Sequence, residues 1–279
     1  MLNKDALQQL VQLKTNLVAQ KEIAQGVVRS TTKRFGFVML DDGREAFLDP
    51  EQMLRVLPDD RVEVEVVVNS KDQLEAKLEK LISSSLSEFV GRYVSKGNNN
   101  FVEPDVPNFT RWLFVPPQDR KGLNVDDLVH CTVTRHPFTN EGKAQVRIST
   151  RLGKTDDPGV ENRYTVAKYK LPAEWTSAAQ NQASSINWSA LTFDNDEVDL
   201  THLPFVTIDS ENTRDMDDAI YIVKNANGWE LFTAIADPSK QIEIDSPLEL
   251  AARERASTVY LLGQSITMLP AELSHDTYS

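Results

Sequence analysis

Lys33-Arg34-Phe35-Gly36-Phe37-Val38-Met39-Leu40, a turn at Asp41-Asp42-Gly43, and then Glu45-Ala46-Phe47-Leu48 form the stretch on which the architecture turns. Side chains alternate across it with a period of two, the repeat of a half-buried strand, and an Asp-Gly turn joins its halves. The same period runs upstream through Ala24-Gln25-Gly26-Val27-Val28-Arg29 and downstream through Asp60-Arg61-Val62-Glu63-Val64-Glu65-Val66-Val67. Short strands separated by such turns suit a five-stranded OB barrel. A second β-rich unit follows in Phe89 to Val94, Phe101 to Asp105, Leu113 to Val115, Leu128 to Thr134 and Ala144 to Ile148.

The piece Arg34-Phe35-Gly36-Phe37-Val38 with Ala46-Phe47-Leu48 resembles the RNA-binding strands of cold-shock domains, in which exposed aromatics stack on bases. The resemblance implies stacking roles for Phe35, Phe37 and Phe47. Arg34 stands where those domains commonly have Gly, and its guanidinium would add a phosphate contact. Stacking contributes about 1–3 kcal/mol per base and tolerates any sequence. The residues alone leave a second reading open, in which Phe35, Phe37 and Phe47 are barrel core. Arg111, Arg120, Lys121, Arg135, Lys143 and Arg147 of the second unit read as solvated surface charge.

Further along, Thr207-Ile208-Asp209-Ser210 and Asp215-Met216-Asp217-Asp218 pack four aspartates into ten positions. At about 4 Å and an effective dielectric of about 20, each pair repels by roughly 4 kcal/mol, so converging carboxylates need a counter-cation. Mg²⁺ takes oxygen ligands and keeps positions for water and phosphate, which points to metal-assisted phosphoryl chemistry. The flanks Pro204 to Ile208, Ala219 to Val223 and Leu231 to Ala236 read as three strands, the last after the turn signal Asn225-Ala226-Asn227-Gly228. In an extended segment Asp215 and Asp217 point to one side and Asp218 to the other, so the loop must curl if all serve one site. Counting from Asp215, Ile220 stands where an EF-hand needs Gly. A solvated acidic turn is the plain alternative.

Phe205 to Ala219, then Ala234-Ile235-Ala236-Asp237-Pro238, then Met268-Leu269-Pro270, resembles the opening of the catalytic domain of the ribonuclease II family. The resemblance implies an Mg²⁺-dependent, processive 3′-to-5′ exoribonuclease that releases nucleoside 5′-monophosphates from single-stranded RNA. It implies catalytic and metal-binding roles for Asp209, Asp215, Asp217 and Asp218, and for Tyr260 a stacking role near the cleaved end. By position, the second β-rich unit looks like the family's second cold-shock-type domain. The family's catalytic domain continues well past Ser279. A later arginine-bearing motif, further stacking residues and a C-terminal OB-type domain are therefore expected outside this chain, which is either a fragment or is completed by a second polypeptide. The direct entry from a short helix into the first barrel, and Met216, look more like ribonuclease II than ribonuclease R.

The fold class expected is mainly β with an α+β catalytic part: two cold-shock-type OB barrels followed by the beginning of an RNB-type catalytic domain. The expected divisions are an N-terminal helix at 1–22, barrels at 23–85 and 86–152, a connecting segment at 153–202 and the catalytic start at 203–279. In the connecting segment Trp175, Trp188 and Phe193 read as packing residues, and His202 as structural. Ser246 with Glu249 forms a capping-box pattern ahead of a helix through Ala256.

Net charge of −12 argues at face value against a nucleic-acid partner. Its distribution softens that objection: residues 1–150 hold 20 Lys and Arg against 21 Asp and Glu, and residues 151–279 hold 10 against 21. The first half can present local basic patches while the second carries the metal site. No stretch approaches the roughly 20 apolar residues of a membrane span, and Met1 to Lys14 lacks signal-peptide organisation, so a cytoplasmic protein, monomeric when full length, is expected. The lone Cys131 lies in an alternating apolar run and reads as a core thiol. Two rivals stand beside the nuclease: an RNA-binding fragment or paralogue without turnover, and an acidic protein that binds Ca²⁺ structurally.

Overall fold

The computed structural model describes residues 21–70, 72–139, 142–186, 197–211, 213 and 216–275. The helix expected near the N-terminus lies outside the described residues, as do Trp188 and Phe193. The chain divides into two compact units, residues 1–169 and 170–279. Its described part is mainly β, with two closed five-stranded barrels in the first unit.

The first barrel comprises β1 (Glu22–Ser30), β2 (Gly36–Leu40), β3 (Glu45–Leu48), β4 (Arg61–Val68) and β5 (Leu74–Ser83), in the closed order β1-β2-β3-β5-β4. Alternation sets its inside: Val62, Val64 and Val66 of β4 are buried with Val28, Val38, Ala46 and Leu48. Fully burying a side chain of this kind contributes about 1.5–3 kcal/mol. A short helix, Pro50–Met53, lies between β3 and β4; Asp49 caps it by accepting from the backbone N–H of Glu51 and Gln52. Strand β5 reads Leu-Glu-Ala-Lys-Leu-Glu-Lys-Leu, a run of good helix formers, yet it pairs along all of β4 with two register shifts. Its apolar residues Ala76 and Leu78 fill the barrel, and that burial overrides local propensity.

The second barrel comprises β6 (Glu88–Lys96), β7 (Asn99–Pro104), β8 (Leu113–Val115), β9 (Leu128–Arg135) and β10 (Gln145–Gly153), and its strands close in the same cyclic order. The correspondence reaches single residues. Gly26 pairs with Leu40 as Gly91 pairs with Pro104. A Cβ on either glycine would press on the facing carbonyl, of Met39 or Glu103, and lie 2.7 Å from Val38 or Val102 Cγ1. The strands cross too closely there for any side chain. Asp59 and Asp126 both adopt positive φ, and the aspartate that follows each, Asp60 and Asp127, is wholly buried. Each buried carboxylate accepts from the backbone N–H three residues back, Leu57 or Asn124. The two barrels are thus one structural unit used twice.

Their cation partners differ. Asp127 takes Arg151 of its own barrel in a two-pronged pair at 2.8 and 2.9 Å, which holds its carboxyl below the usual carboxylate range. Asp60 instead receives His136 Nε2 from the second barrel at 2.9 Å. Because His136 Nδ1 accepts from the Phe138 N–H, Nε2 carries the proton that goes to Asp60. Leu57 packs in the second barrel's core, Phe138 packs against the first, and Arg55 stacks on Phe138 at 4.8 Å. Arg111 adds a further link by donating to the carbonyls of Met53, Leu54 and Val56 at 3.2, 2.6 and 2.8 Å. This corrects the reading of Arg111 as solvated surface charge. Cys131 is buried in the second core, as its alternating run predicts, and burial pushes its thiol up to about 12. The helix Val160–Tyr169 docks on this barrel through Arg163 to the Leu152 carbonyl and through Tyr164 and Lys168 to Asp105.

The second unit holds the helices Ser177–Ser185 and Pro247–Arg255, a hairpin of β11 (Asp218–Asn225) and β12 (Gly228–Ile235), and a small hairpin of β13 (Val259–Leu261) and β14 (Gln264–Ile266). Ala179, Ala183, Leu248, Leu269 and Leu273 form its core. Ser246 caps the helix Pro247–Arg255 as expected, although Glu249 bonds the Asp245 N–H and not that of Ser246. The Arg255 guanidinium carbon lies over the Trp175 ring, 3.6 Å from its centroid. Only two of the three expected strands form here. Residues 204–208 make a single antiparallel bridge, Val206 to Ile220. Among the described residues, no helix is long and apolar enough to cross a membrane.

Candidate nucleic-acid interface and acidic site

Strands β2 and β3 send Val38, Ala46 and Leu48 into the first barrel, so their period of two sends Phe37 and Phe47 out. Phe35 joins them just ahead of β2. The three rings are half-buried and lie 5.4–6.0 Å apart between centroids, tilted or edge to face, and none belongs to the buried core. The open choice between core and surface is thereby resolved for all three: they form one outward aromatic face. Gly36 between Phe35 and Phe37 has a physical reason, since a Cβ there would meet Met53 Sδ at 2.5 Å and the Arg29 carbonyl at 2.7 Å. Thr31 Oγ1 ties the preceding loop by donating to the Phe35 carbonyl at 2.6 Å. Lys33 Nζ lies 5.6 Å over the Phe35 ring, and Arg34 is exposed in the bend. Lys33 and Arg34 also line a groove of about 480 Å³ together with Asn108, Phe109, Thr110 and Arg111 of the second barrel.

The second barrel carries an aromatic trio that strand reading alone did not single out. Phe101 and Phe114 lie 5.9 Å apart edge to face, Trp112 lies 6.2 Å from Phe101, and Arg120 stacks on Phe114 at 5.4 Å. The available signal was the alternation itself, because Val102, Leu113 and Val115 point inward and their neighbours must point out.

In the second unit, the bridge between Val206 and Ile220 carries two N–H to carbonyl bonds of 2.9 Å. Its antiparallel sense carries Asp209 in the direction of Asp217 and Asp218. The Asp217 carbonyl accepts from the Ala236 N–H, Asp218 opens β11 opposite Ile235, and Asp209 sits in an exposed segment outside any helix or strand. Asp209, Asp217 and Asp218 are exposed; Asp215 lies outside the described residues. Among the described residues, no three His, Cys, Asp or Glu side chains converge as a metal-binding group. The side chains available are carboxylates alone, a donor set that suits a hard divalent cation and not a thiolate-seeking or imidazole-seeking one. Asp237, nearby in sequence, is engaged as a cap: it accepts from the N–H and hydroxyl of Ser239, which holds its carboxyl below the usual range. His202 is exposed on the loop before this segment. Tyr260, in the β13–β14 hairpin, is 69% exposed and so is not core.

Three family models match the chain in order. Residues 26–81 match the ribonuclease B OB domain, 101–176 the cold shock domain and 197–279 the RNB domain. The chain belongs to the ribonuclease II, or RNB-domain, family. Exoribonuclease 2 of Klebsiella pneumoniae is 37% identical over 275 residues, and that of Xenorhabdus bovienii is 35% identical over 275. Each alignment covers 97% of this chain and 41% of the relative, so the chain spans about two fifths of the RNB-family proteins it matches. Among solved structures, Mycoplasma genitalium RNase R in complex with ribose-methylated single-stranded RNA superposes with a TM-score of 0.73 at 23% identity, covering 91% of this chain and 41% of that one. Yeast Ssd1, a pseudonuclease, superposes at 0.59 with 16% identity, covering 99% and 40%. These two likenesses concern the fold.

Proposed function

We propose that this chain is the RNA-gripping part and the opening of the catalytic domain of an Mg²⁺-dependent, processive 3′-to-5′ exoribonuclease that yields nucleoside 5′-monophosphates. The observation that carries the reading is the acidic run Asp209 to Asp218, oxygen donors only, in a segment that matches the RNB domain. Asp209, Asp215, Asp217 and Asp218 would hold the metal. When bound, it supplies Lewis-acid polarisation of the scissile phosphate and a water of lowered pKa. The chain's own side chains bind and orient the strand. Phe35, Phe37 and Phe47 offer flat apolar faces to unpaired bases, Lys33 and Arg34 face the phosphates beside them, and Tyr260 stacks on a nucleotide near the cleaved end. In this reading the working divisions are RNA-binding barrels at 23–85 and 86–152, a connector at 153–202 and catalytic sequence from 203. The full-length enzyme would act as a cytoplasmic monomer.

A second reading starts from the outward aromatic face of Phe35, Phe37 and Phe47, which can hold a strand without any metal. In that reading the chain holds RNA without cleaving it, and a second polypeptide or further sequence completes the site. One experiment separates the two: 5′-labelled single-stranded RNA is incubated with the chain, with and without Mg²⁺, and resolved on a denaturing gel. Mg²⁺-dependent shortening from the 3′ end that is lost in Asp217→Asn supports hydrolysis. Intact RNA that shifts on a native gel supports the holding role, and RNA that does neither refutes both.

A further inference from the structure

Tyr260 sits on a piece of structure too small to hold its own direction. Strands β13 and β14 pair through Val259 with Ile266, Tyr260 with Ser265 and Leu261 with Gln264. A two-stranded hairpin is marginal by itself in water, so what anchors its base decides where it points. Thr258 Oγ1 closes that base by accepting from the Met268 N–H at 3.3 Å, and Ile266 is buried. Upstream, the base runs directly into the end of the helix Pro247–Arg255. Ala256 takes a φ of 61°, a left-handed turn that costs a residue with a Cβ, and its N–H bonds the Ala252 carbonyl at 2.9 Å. A short and tightly turned path therefore joins Arg255 to Tyr260.

Arg255 is the fixed end of that path. It is 8% exposed, its guanidinium carbon lies over the Trp175 ring, and Nη2 donates to the Glu174 carbonyl at 2.9 Å. Its Nη1 is buried and meets no acceptor among the described residues. Trp175 also packs against the core of this unit, which accounts for an apolar residue at that position. Packing does not account for a buried cation on its ring. A desolvated guanidinium with an unpaired donor costs stability that an apolar side chain at 255 would not, so its place is explained by what it holds. Trp175, Arg255 and Ser265, the cross-strand partner of Tyr260, line one hollow of about 290 Å³. We infer that Trp175 and Arg255 are positioning residues, a clamp that fixes the β13–β14 hairpin so that Tyr260 presents its ring to a nucleotide. This rests on the stacking role proposed for Tyr260.

The test holds the whole chain in EDTA, so that no RNA is cut, with a saturating oligonucleotide that carries 2-aminopurine at its 3′ end and fluorescein at its 5′ end. Fluorescein anisotropy reports binding, and 2-aminopurine emission, which stacking alters, reports the 3′ base. The part of that emission change removed by Tyr260→Leu is the signal of the stack. Trp175→Leu and Arg255→Met each keep apolar bulk and take the cation off the ring. Either should lower the stacking signal by roughly 2-fold or more while RNA stays bound, the scale of a lost desolvated cation–π contact. Trp175→Phe, which keeps a ring under the guanidinium, should retain most of it. Arg255→Met also relieves a buried charge, so it carries the test if Trp175→Leu does not fold. A parent-like stacking signal in either folded variant overturns the clamp and leaves the role of Tyr260 intact. A parent emission that Tyr260→Leu leaves unmoved overturns both.

Discussion

Arg111 is where the coupling of the two barrels can be tested with a worked magnitude. Its bonds to Leu54 O at 2.6 Å and Val56 O at 2.8 Å are well formed, and the one to Met53 O is longer, at 3.2 Å. Hydrogen bonds to a charged group contribute about 1.5–3 kcal/mol each, so the two good ones amount to about 3–6 kcal/mol. Burial opposes them: it pulls the guanidinium from its ordinary 12.5 down to about 10. At about 1.4 kcal/mol per pH unit, that desolvation is worth about 3 kcal/mol. The difference is about 0–3 kcal/mol, and the longer bond to Met53 O, lost with the others, lifts its lower end, so Arg111→Ala is predicted to destabilise the chain by about 1–3 kcal/mol. Urea unfolding followed by circular dichroism reads this as a fall in midpoint of about 0.5–1.5 M, for a slope of about 2 kcal/mol per molar. Arg111→Lys should recover less than half, because one ammonium on a flexible stem cannot span carbonyls that a rigid planar fork reaches together. A midpoint unchanged in Arg111→Ala, or fully restored by Lys, would refute the reasoning.

Three further outcomes follow from the same structure. Asp127, held below the usual carboxylate range by Arg151, contributes stability that is present above its unfolded pKa of about 3.9 and is lost as pH falls through the folded value. Asp127→Asn should therefore be less stable than the parent by about 2–3 kcal/mol at pH 7, with the gap closing in acid below pH ~4, and urea midpoints across pH would show a constant gap if the pair does nothing. Gly91→Ala, with its new Cβ 2.7 Å from Val102 Cγ1 and against the Glu103 carbonyl, should cost about 1–3 kcal/mol by thermal melting, whereas Gly97→Ala, where a Cβ meets nothing within 4 Å, should cost less despite its positive φ. Cys131, buried and with its thiol pushed up to about 12, should react with a chromogenic disulfide only as fast as the second barrel opens; prompt labelling under native conditions would show that this core is not closed.

Much of the first unit was legible because the information is local. Val62-Glu63-Val64-Glu65-Val66 declares its buried face within five residues, and Asp41-Asp42-Gly43 declares its turn within three. Ser246 and Pro247 mark a helix start by the same short-range chemistry. The acidic run raised the expectation of a hard cation by composition alone, and alternation put Phe35 and Phe37 on one strand face without deciding whether that face is buried. What no local pattern held was the partner. Leu74 to Ser83 looks helical and becomes β5 because only a strand there closes the barrel and buries Ala76 and Leu78. Residues 204–208 look like a strand and make one bridge.

The sequence by itself determined which residues alternate, where the chain turns and that oxygen donors crowd into one acidic run, since each of these depends on neighbours within a few positions. Tertiary structure alone decided that the two barrels share a strand order and the places of Gly26 and Gly91 and of Asp60 and Asp127, that Phe101 and Phe114 repeat Phe37 and Phe47, and that Arg111 and His136 reach across to Leu54 and Asp60. Those relations join residues far apart in sequence. They exist only once strand pairing has brought distant backbone within hydrogen-bond reach, and dense packing then leaves a buried carboxylate or guanidinium no solvent to turn to.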